Sequence, residues 1–381
     1  AIEHFAKVTD KSDELGQYGS YYMAQCYTNT KQDKFARNTF YKAYKMDFND
    51  TLKENALYNY AVLSFIPGID PFNETVNVLN DYIEKNPKSS HISDYQDIVI
   101  HLLLNSKDYN SVLETLEQYD ELSPELKVIQ SQLTYNVGTQ NYNENNYKEA
   151  ITYFKKSSEN KNIESNSQKE ALYWLADSYY QIKDNKNATK TYLQFIKTSG
   201  AKKLEIYPLA YYNLGYIYMN DSDFDNAAIK FKEFINNDNS SDVDRQADAW
   251  IRVGDCYFIQ RQYNNAITSY NNAIKISDKN ADYAYFQQAM GYGALGKSKE
   301  KTDKLSIIIN RYPKSTFYDR SIYETGITHL NSNGNRSAIA SFEKIIKERP
   351  RSQYARKALM KIGMIHYNND DNAKALEKLK E

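Results

Sequence analysis

Glycine and proline are scarce in this chain. It holds 13 and 7 of them, together 20 of 381 residues or about 5%, where average usage is about 12%. A fold of many short strands needs turn-formers at each reversal. The shortage therefore argues against sandwiches, barrels and collagen-like repeats. Cysteine is scarcer still: Cys26 and Cys256 are the only two, too few for a disulfide framework. No apolar run approaches the roughly 18 residues of a membrane helix. Net charge is almost absent, with 48 Lys and Arg against 49 Asp and Glu. No basic footprint for nucleic acid or an anionic membrane is expected from that balance. The motifs G-x-S-x-G, P-loop, H-E-x-x-H and C-x-x-C are all missing. No catalytic residue, cofactor or metal is therefore expected. The chain opens on Ala1-Ile2-Glu3, which reads as a processed or excised fragment and leaves the compartment open.

Tyrosine is what the chain has in quantity, 36 residues in a composition that is 41% hydrophobic and 25% charged. That balance is too apolar for a disordered chain. Many of the tyrosines belong to a repeat. Tyr211-Tyr212-Asn213-Leu214-Gly215-Tyr216-Ile217-Tyr218 leads to Phe224-Asp225-Asn226-Ala227-Ala228-Ile229-Lys230-Phe231. A second copy, 39 residues on, runs through Gly254 and Tyr257 to Tyr263, Ala266 and Tyr270. A small residue recurs at Ala24, Ala61, Gly138, Ala176, Gly215, Gly254, Ala289, Gly326 and Gly363, with Ile100 alone large in that register. The intervals are 35 to 39 residues. A second small row, Ala36, Ala150, Ala188, Ala227, Ala266, Ala338 and Ala375, is followed four residues later by Phe40, Phe154, Tyr192, Phe231, Tyr270, Phe342 and Leu379. The first row lets a second helix approach closely. The large residues of the second helix are expected to fill the space between neighbouring repeats. Neither helix buries its stripe alone, so the units must stack.

These rows resemble the tetratricopeptide repeat, whose pattern is W-x2-L-G-x2-Y, then A-x3-F, then a helix-ending Pro. The resemblance runs along essentially the whole chain. It implies an all-α fold, an open right-handed α-solenoid superhelix of about ten helical hairpins with the first helices inside. Residues 1–13 then read as the second helix of a truncated repeat, 14–91 as repeats 1 and 2, and 92–127 as an irregular repeat 3. Residues 128–281 hold the long repeats 4 to 7, and 282–381 repeats 8 to 10 with the last cut short. The irregular repeat has Ile100 at the close-approach place and Val112 and Leu116 for Ala and an aromatic, so a bend or a merely degenerate repeat is expected. A stiff loop is expected at Phe65–Phe72, around Pro67 and Pro71. Neither end looks like a polar cap, which suggests a piece of a longer array. At Ser123-Pro124, Ser reads as an N-cap and Pro as the first helical residue. At Asn86-Pro87-Lys88-Ser89, Tyr312-Pro313-Lys314-Ser315 and Arg349-Pro350-Arg351-Ser352, Pro stops one helix and Ser caps the next. This Pro-x-Ser junction is similar to that of bacterial outer-membrane assembly lipoproteins and of periplasmic coordinators that work with the Tol system. The resemblance implies a periplasmic or outer-membrane-associated place.

In the family the first helices line the groove, and their fifth, ninth and twelfth places point into it. Those places hold Tyr21, Tyr58, Phe65, Tyr135, Tyr142, Tyr173, Tyr180, Tyr212, Tyr216, Phe258, Phe286, Tyr323 and Tyr367, with Asp177 and Asp255 adding acidity. Tyr135, Tyr142, Tyr173, Asp177, Tyr180, Tyr212, Tyr216, Asp255 and Phe258 are the candidates for gripping a partner's peptide or helix. The same tyrosines also suit packing between repeats. Cys26 and Cys256 read as small core residues, and His329 and His366 as packing residues in the place of the motif's Tyr. The expected function is a non-enzymatic interaction scaffold with a protein or peptide partner, in envelope assembly or secretion. Two other readings fit the sequence: the substrate-recruiting arm of a larger enzyme, and a self-assembly module pairing through uncapped ends.

Overall fold

The structure, a computed structural model, describes residues 1–66, 74–105, 107, 109–159 and 165–380. The loop expected at Phe65–Phe72 lies mostly outside the described residues. The chain divides into two units, residues 1–171 and 172–381. In the first, α1 (Ile2–Ala6) precedes the hairpins α2 (Glu14–Asn29) with α3 (Asp33–Tyr44), α4 (Asp50–Leu63) with α5 (Glu74–Lys85), α6 (Ile92–Asn105) with α7 (Tyr109–Gln118), and α8 (Pro124–Asn143) with α9 (Tyr147–Glu159). The division falls within α10 (Asn166–Gln181), which is followed by α11 (Asn185–Lys197). The second unit continues with α12 (Tyr207–Asn220) and α13 (Phe224–Asn237), then α14 (Val243–Ile259) and α15 (Tyr263–Ile276). Its last three hairpins are α16 (Ala281–Ala294) with α17 (Ser298–Arg311), α18 (Tyr318–Asn331) with α19 (Asn335–Glu348), and α20 (Gln353–Asn368) with α21 (Asn372–Lys380). Among the described residues there is no strand, and the fold is all-α.

The helices start and stop where local chemistry dictates. Ser123 accepts a hydrogen bond from Leu126 N at 3.1 Å, so α8 opens on Pro124 as the sequence predicts. Asp13, Asn49, Asp184, Asp223 and Asp242 cap α2, α4, α11, α13 and α14 in the same way. The Pro-x-Ser junctions behave less uniformly than expected. Only Ser352 is the N-cap of the following helix. Ser89 and Ser315 accept from the backbone two residues on, at His91 and Phe317, and so cap a short turn ahead of α6 and α18.

Among the described residues eight hairpins turn on a left-handed residue closed by the same bond, and Lys107 (φ 61°) is left-handed in the turn of α6–α7. Lys31, Asn145, Lys183, Ser222, Arg261, Asn333 and Asp370 hold φ of 58–64°, and Gly296 holds 74°. The residue that follows donates its N–H to the carbonyl five back, as in Asp184 to Tyr179 at 2.9 Å and Gln262 to Tyr257 at 2.8 Å. This closes the carbonyl end of the first helix. His329 and His366 accept the same bond, from Gly334 and Asp371, which confirms that they occupy the tyrosine's place. One glycine in eight such turns is part of why the chain holds so little of it.

The two small-residue rows do their work inside each hairpin. A Cβ on Gly138 or Gly215 would lie 2.8 Å from the ring of Phe154 or Phe231, and one on Gly254 would lie 2.5 Å from Tyr270. Gly326 meets Phe342 and Gly363 meets Leu379 likewise. Each large residue thus seats on the small residue 16 positions before it. This seat within the hairpin adds to the expected filling of space between repeats, where Tyr192 also meets Asn213 of the next hairpin. In the irregular repeat the larger Ile100 stands for the small residue and the smaller Leu116 for the aromatic, two side chains of equal volume that are both buried in the core of the first unit. Buried polar groups are paired where helices must be tied. Gln17, fully buried, donates to Ala43 and Met46 carbonyls and accepts from Asn49 N at 2.8 Å, fastening α3 to α4.

Two stability experiments follow from this packing. Left-handed geometry costs a non-glycine residue about 1–2 kcal/mol, part of which glycine returns as unfolded-state freedom. Ser222→Gly and Arg261→Gly should each raise stability by about 0.5–1 kcal/mol, read as a higher melting temperature by circular dichroism. A drop would show that the turns are not strained. Gly326→Val should lower stability by about 1–3 kcal/mol through overpacking. Adding Phe342→Leu should restore part of it in urea titrations, because a branched residue facing Leu resembles the pair Ile100 and Leu116. No recovery would refute the idea that the opposite helix compensates.

Candidate partner-binding face

The first helices of the second unit are joined along one face by tyrosine hydroxyls and carboxylates. On α12, Tyr212 and Tyr216 both donate to Asp248 Oδ2 of α14, at 2.8 and 2.5 Å. Arg252, one turn on from Asp248, binds Asp248 Oδ1 at 3.0 Å and Asp255 Oδ2 at 2.8 Å. Asp255 accepts from Tyr270 of α15 and from Tyr283 of α16, both at 2.8 Å. Gln287 donates to the Tyr283 hydroxyl at 2.8 Å. A chain of charge-assisted hydrogen bonds thus runs over α12, α14 and α16. A matching knot ties α10, α11 and α12. There Asp177 accepts from Tyr192 at 2.7 Å and from Asn213 at 3.0 Å, and Asn213 also reaches the Tyr192 and Tyr173 hydroxyls. In the first unit Tyr135 donates to Glu170 Oε2 at 2.7 Å, and Tyr82 of α5 donates to Glu54 of α4.

The candidates predicted from sequence divide on this geometry. Tyr212 and Tyr216 come together on one carboxylate and stay half-buried, with a ring edge each toward Phe231. Tyr180 and Phe258 are half-buried at the same helix faces, Phe258 edge-on to Tyr263. Tyr135 and Tyr142 lie on α8, half-buried, Tyr142 against the Tyr147 ring at 5.3 Å. Tyr173, Asp177 and Asp255 are only 5–7% exposed. They are corrected from groove lining to internal fasteners. Tyr173 packs edge-on against Trp174, Tyr192 and Phe195. The two aspartates are spent on tyrosines, so they lend the face no free acidity. Phe286 and Tyr21 are buried too, whereas Tyr58 and Tyr367 are exposed. Asp248, Arg252, Asn213 and Tyr283 escaped the sequence reading. Their signal was present: Asp248, Arg252 and Asp255 recur at helical spacing of four and three on an otherwise aromatic face.

The electrostatics follow from burial. Burial pushes the Asp255 carboxyl up, while Arg252 and the hydroxyls of Tyr283 and Tyr270 hold it back. Burial works against the Arg252 charge, yet Asp248, Tyr216 and Asp255 keep it held above its ordinary value. Burial and the nearby Asp255 push the Tyr283 phenol up to about 12. Tyr212, Tyr192 and Tyr270 are raised further, each by burial first, then Tyr212 by its bond with Tyr216 and by Asp248, Tyr192 by Asp177 and Tyr270 by Asp255. Cys256 is fully buried, and burial with Asp255 beside it lifts the thiol to about 12. That thiol stays protonated and unreactive. The face therefore offers neutral phenols and fixed dipoles rather than a nucleophile with its base. Among the described residues no three His, Cys, Asp or Glu side chains gather as a metal site, and no helix is long and apolar enough to cross a membrane.

Comparison with known proteins gives the following. Two family models described as tetratricopeptide repeat match, one at residues 209–240 and 247–280, the other at 170–199 and 283–315. No curated protein matches. Among solved structures, YrrB, described as a TPR protein with an unusual peptide-binding site, is similar at 17% identity, covering 54% of this chain and 96% of its own with a TM-score of 0.42. MamA is similar at 20% identity, covering 46% of this chain and 90% of its own with a TM-score of 0.39. The C-terminal part of a TPR repeat-containing protein from Cytophaga hutchinsonii is similar at 14% identity, covering 68% and 98% with a TM-score of 0.49.

The raised phenols carry a pH consequence. In the fold they keep their protons above the ordinary value of 10.0, where the unfolded chain loses them. The folded state then binds more protons, so their stabilisation is complete below pH 10 and falls as pH rises through 10 toward 12 and beyond. Melting temperature should drop across that window, with late phenolate absorbance appearing only as helical signal is lost. If every tyrosine titrates near pH 10 with the helices intact, the hydroxyl ladder is wrong.

Proposed function

Because the chain is a tetratricopeptide-repeat protein, we propose that it is a non-enzymatic scaffold that seats a peptide or helix of a partner protein on the first-helix face of α12, α14 and α16. The observation that carries this is the pair Tyr212 and Tyr216, half-buried rings whose hydroxyls are anchored on Asp248. Rings fixed in this way lose little entropy when they bind, and they present both an apolar face and a polar tip. Stacked repeats build extended surfaces of this kind. The workplace we assign is the bacterial cell envelope, periplasmic or outer-membrane-associated, supported by the Pro-x-Ser junctions at Pro87, Pro313 and Pro350.

Site-specific photo-cross-linking tests the face. A cross-linking residue at Tyr216 should capture a partner segment from cell extract, whereas one at Ile229 of α13, 51% exposed on a second helix, should not. Tyr216→Ala should weaken the recovered partner's affinity about tenfold, an effect typical of an aromatic anchor, with its melting curve still cooperative. Capture at Ile229 alone, or Tyr216→Ala binding unchanged, would overturn the assignment.

A further inference from the structure

The second helix of the irregular hairpin α6–α7 ends early. Helix α7 stops at Gln118, six residues past Val112. Helices α3, α9, α11, α13, α15 and α19 run eight to ten residues past the alanine in the same register. The chain then crosses from Tyr119 to Ser123 without helix. A cavity of about 780 Å³ opens there, between the end of α5, the start of α6 and the 119–123 crossing. Its size is that of a ligand site. Half-buried Ile83, Ile92, Leu122 and Tyr119 form its walls. Burial and the nearby Asp97 push the Tyr119 phenol up, so that wall stays neutral.

One residue lining the cavity is buried, and it is polar. Gln96 is 7% exposed, and among the described residues nothing hydrogen-bonds its side-chain amide. Protein interiors rarely leave such a group unpaired, because the desolvation is then uncompensated. Gln17, the buried glutamine of α2, is bonded on both sides of its amide. The serines beside Gln96 are already spent. Ser123 donates to Asp97 Oδ1 at 3.0 Å and accepts from Leu126 N, and Ser89 accepts from Tyr82 and from His91 N. The Gln96 amide is thus left for a guest. The rim sets the charge of that guest. Glu84, Asp120 and Glu121 stand there exposed, with no ion pair among the described residues, against one base, Lys88.

We propose that this cavity takes the arginine side chain of a partner peptide. The aliphatic stem lies against Ile83, Ile92 and Leu122, the guanidinium donates to the Gln96 amide oxygen, and the rim carboxylates supply the opposite charge. Arginine fits because its guanidinium is a flat set of five donors and is more weakly hydrated than an ammonium. The rim residues are exposed, so a peptide backbone can pass over the mouth while one side chain enters. The site is separate from the Tyr212–Asp248 ladder and does not depend on it.

The test uses the whole chain and two labelled, end-blocked alanine pentapeptides. One has arginine at its centre. The other has citrulline there, which keeps the shape and loses the charge. In fluorescence anisotropy at low salt the arginine peptide should bind saturably, about tenfold tighter than the citrulline peptide, with the gap narrowing as salt screens the charges. Gln96→Leu, close in size but without the amide, should weaken the arginine peptide about tenfold. Glu84→Gln combined with Glu121→Gln should weaken the arginine peptide and leave the citrulline peptide unchanged. These two rim residues are exposed, so that variant keeps the test open should Gln96→Leu lose its helices in circular dichroism. Tyr216→Ala should affect neither peptide. No saturable binding, equal affinity for both peptides, or indifference to the folded variants overturns the proposal. So does free agmatine binding as tightly as the arginine peptide, since the occupant would then be a small cation and not a partner's side chain.

Discussion

Everything in this fold depends on how near two helices of one hairpin can come. A glycine or alanine on the first helix leaves a gap about as deep as a methyl group, and a ring on the second helix enters it. Gly326 under Phe342 and Gly254 under Tyr270 show the contact at its tightest. With that distance set, the flanking aliphatic residues meet at ordinary packing density, and the turn between the helices has one short path to follow. Where the small residue is missing, the chain compensates on the opposite helix, as Ile100 and Leu116 do.

The rest of the structure is hung on the tyrosine hydroxyl. Two second-helix rings, Tyr192 and Tyr270, also end in a donor that a carboxylate of their own hairpin receives, and first-helix tyrosines reach a carboxylate on the following first helix. Tyr212 and Tyr216 share Asp248, and Tyr135 reaches Glu170. Packing and hydrogen bonding are therefore coupled in one residue type. That coupling accounts for the abundance of tyrosine better than a binding strip alone would.

Which parts were legible in the sequence follows from their range. Small and aromatic rows repeat at fixed spacing, so the helices, their pairing and the caps at Ser123 and Ser352 could be read directly. The left-handed turns were hidden because Lys, Ser and Arg sit where glycine usually signals them. The ladder was hidden for a different reason. Tyr212 and Asp248 are 36 residues apart, and their meeting depends on how one hairpin leans on the next. For the same reason Tyr173 shares its register with Tyr212, and Asp177 and Asp255 share theirs with Tyr216, yet all three are sealed inside. A residue's place in the repeat sets which way it points; its neighbour one repeat on decides whether anything can reach it.

The two tryptophans offer an optical handle. Trp174, edge-on to Tyr173, and Trp250 on α14 both belong to residues 172–381, whereas tyrosines populate both units. Exciting the indoles alone therefore interrogates residues 172–381 and no others. The chain carries a built-in optical report on the melting of its second unit.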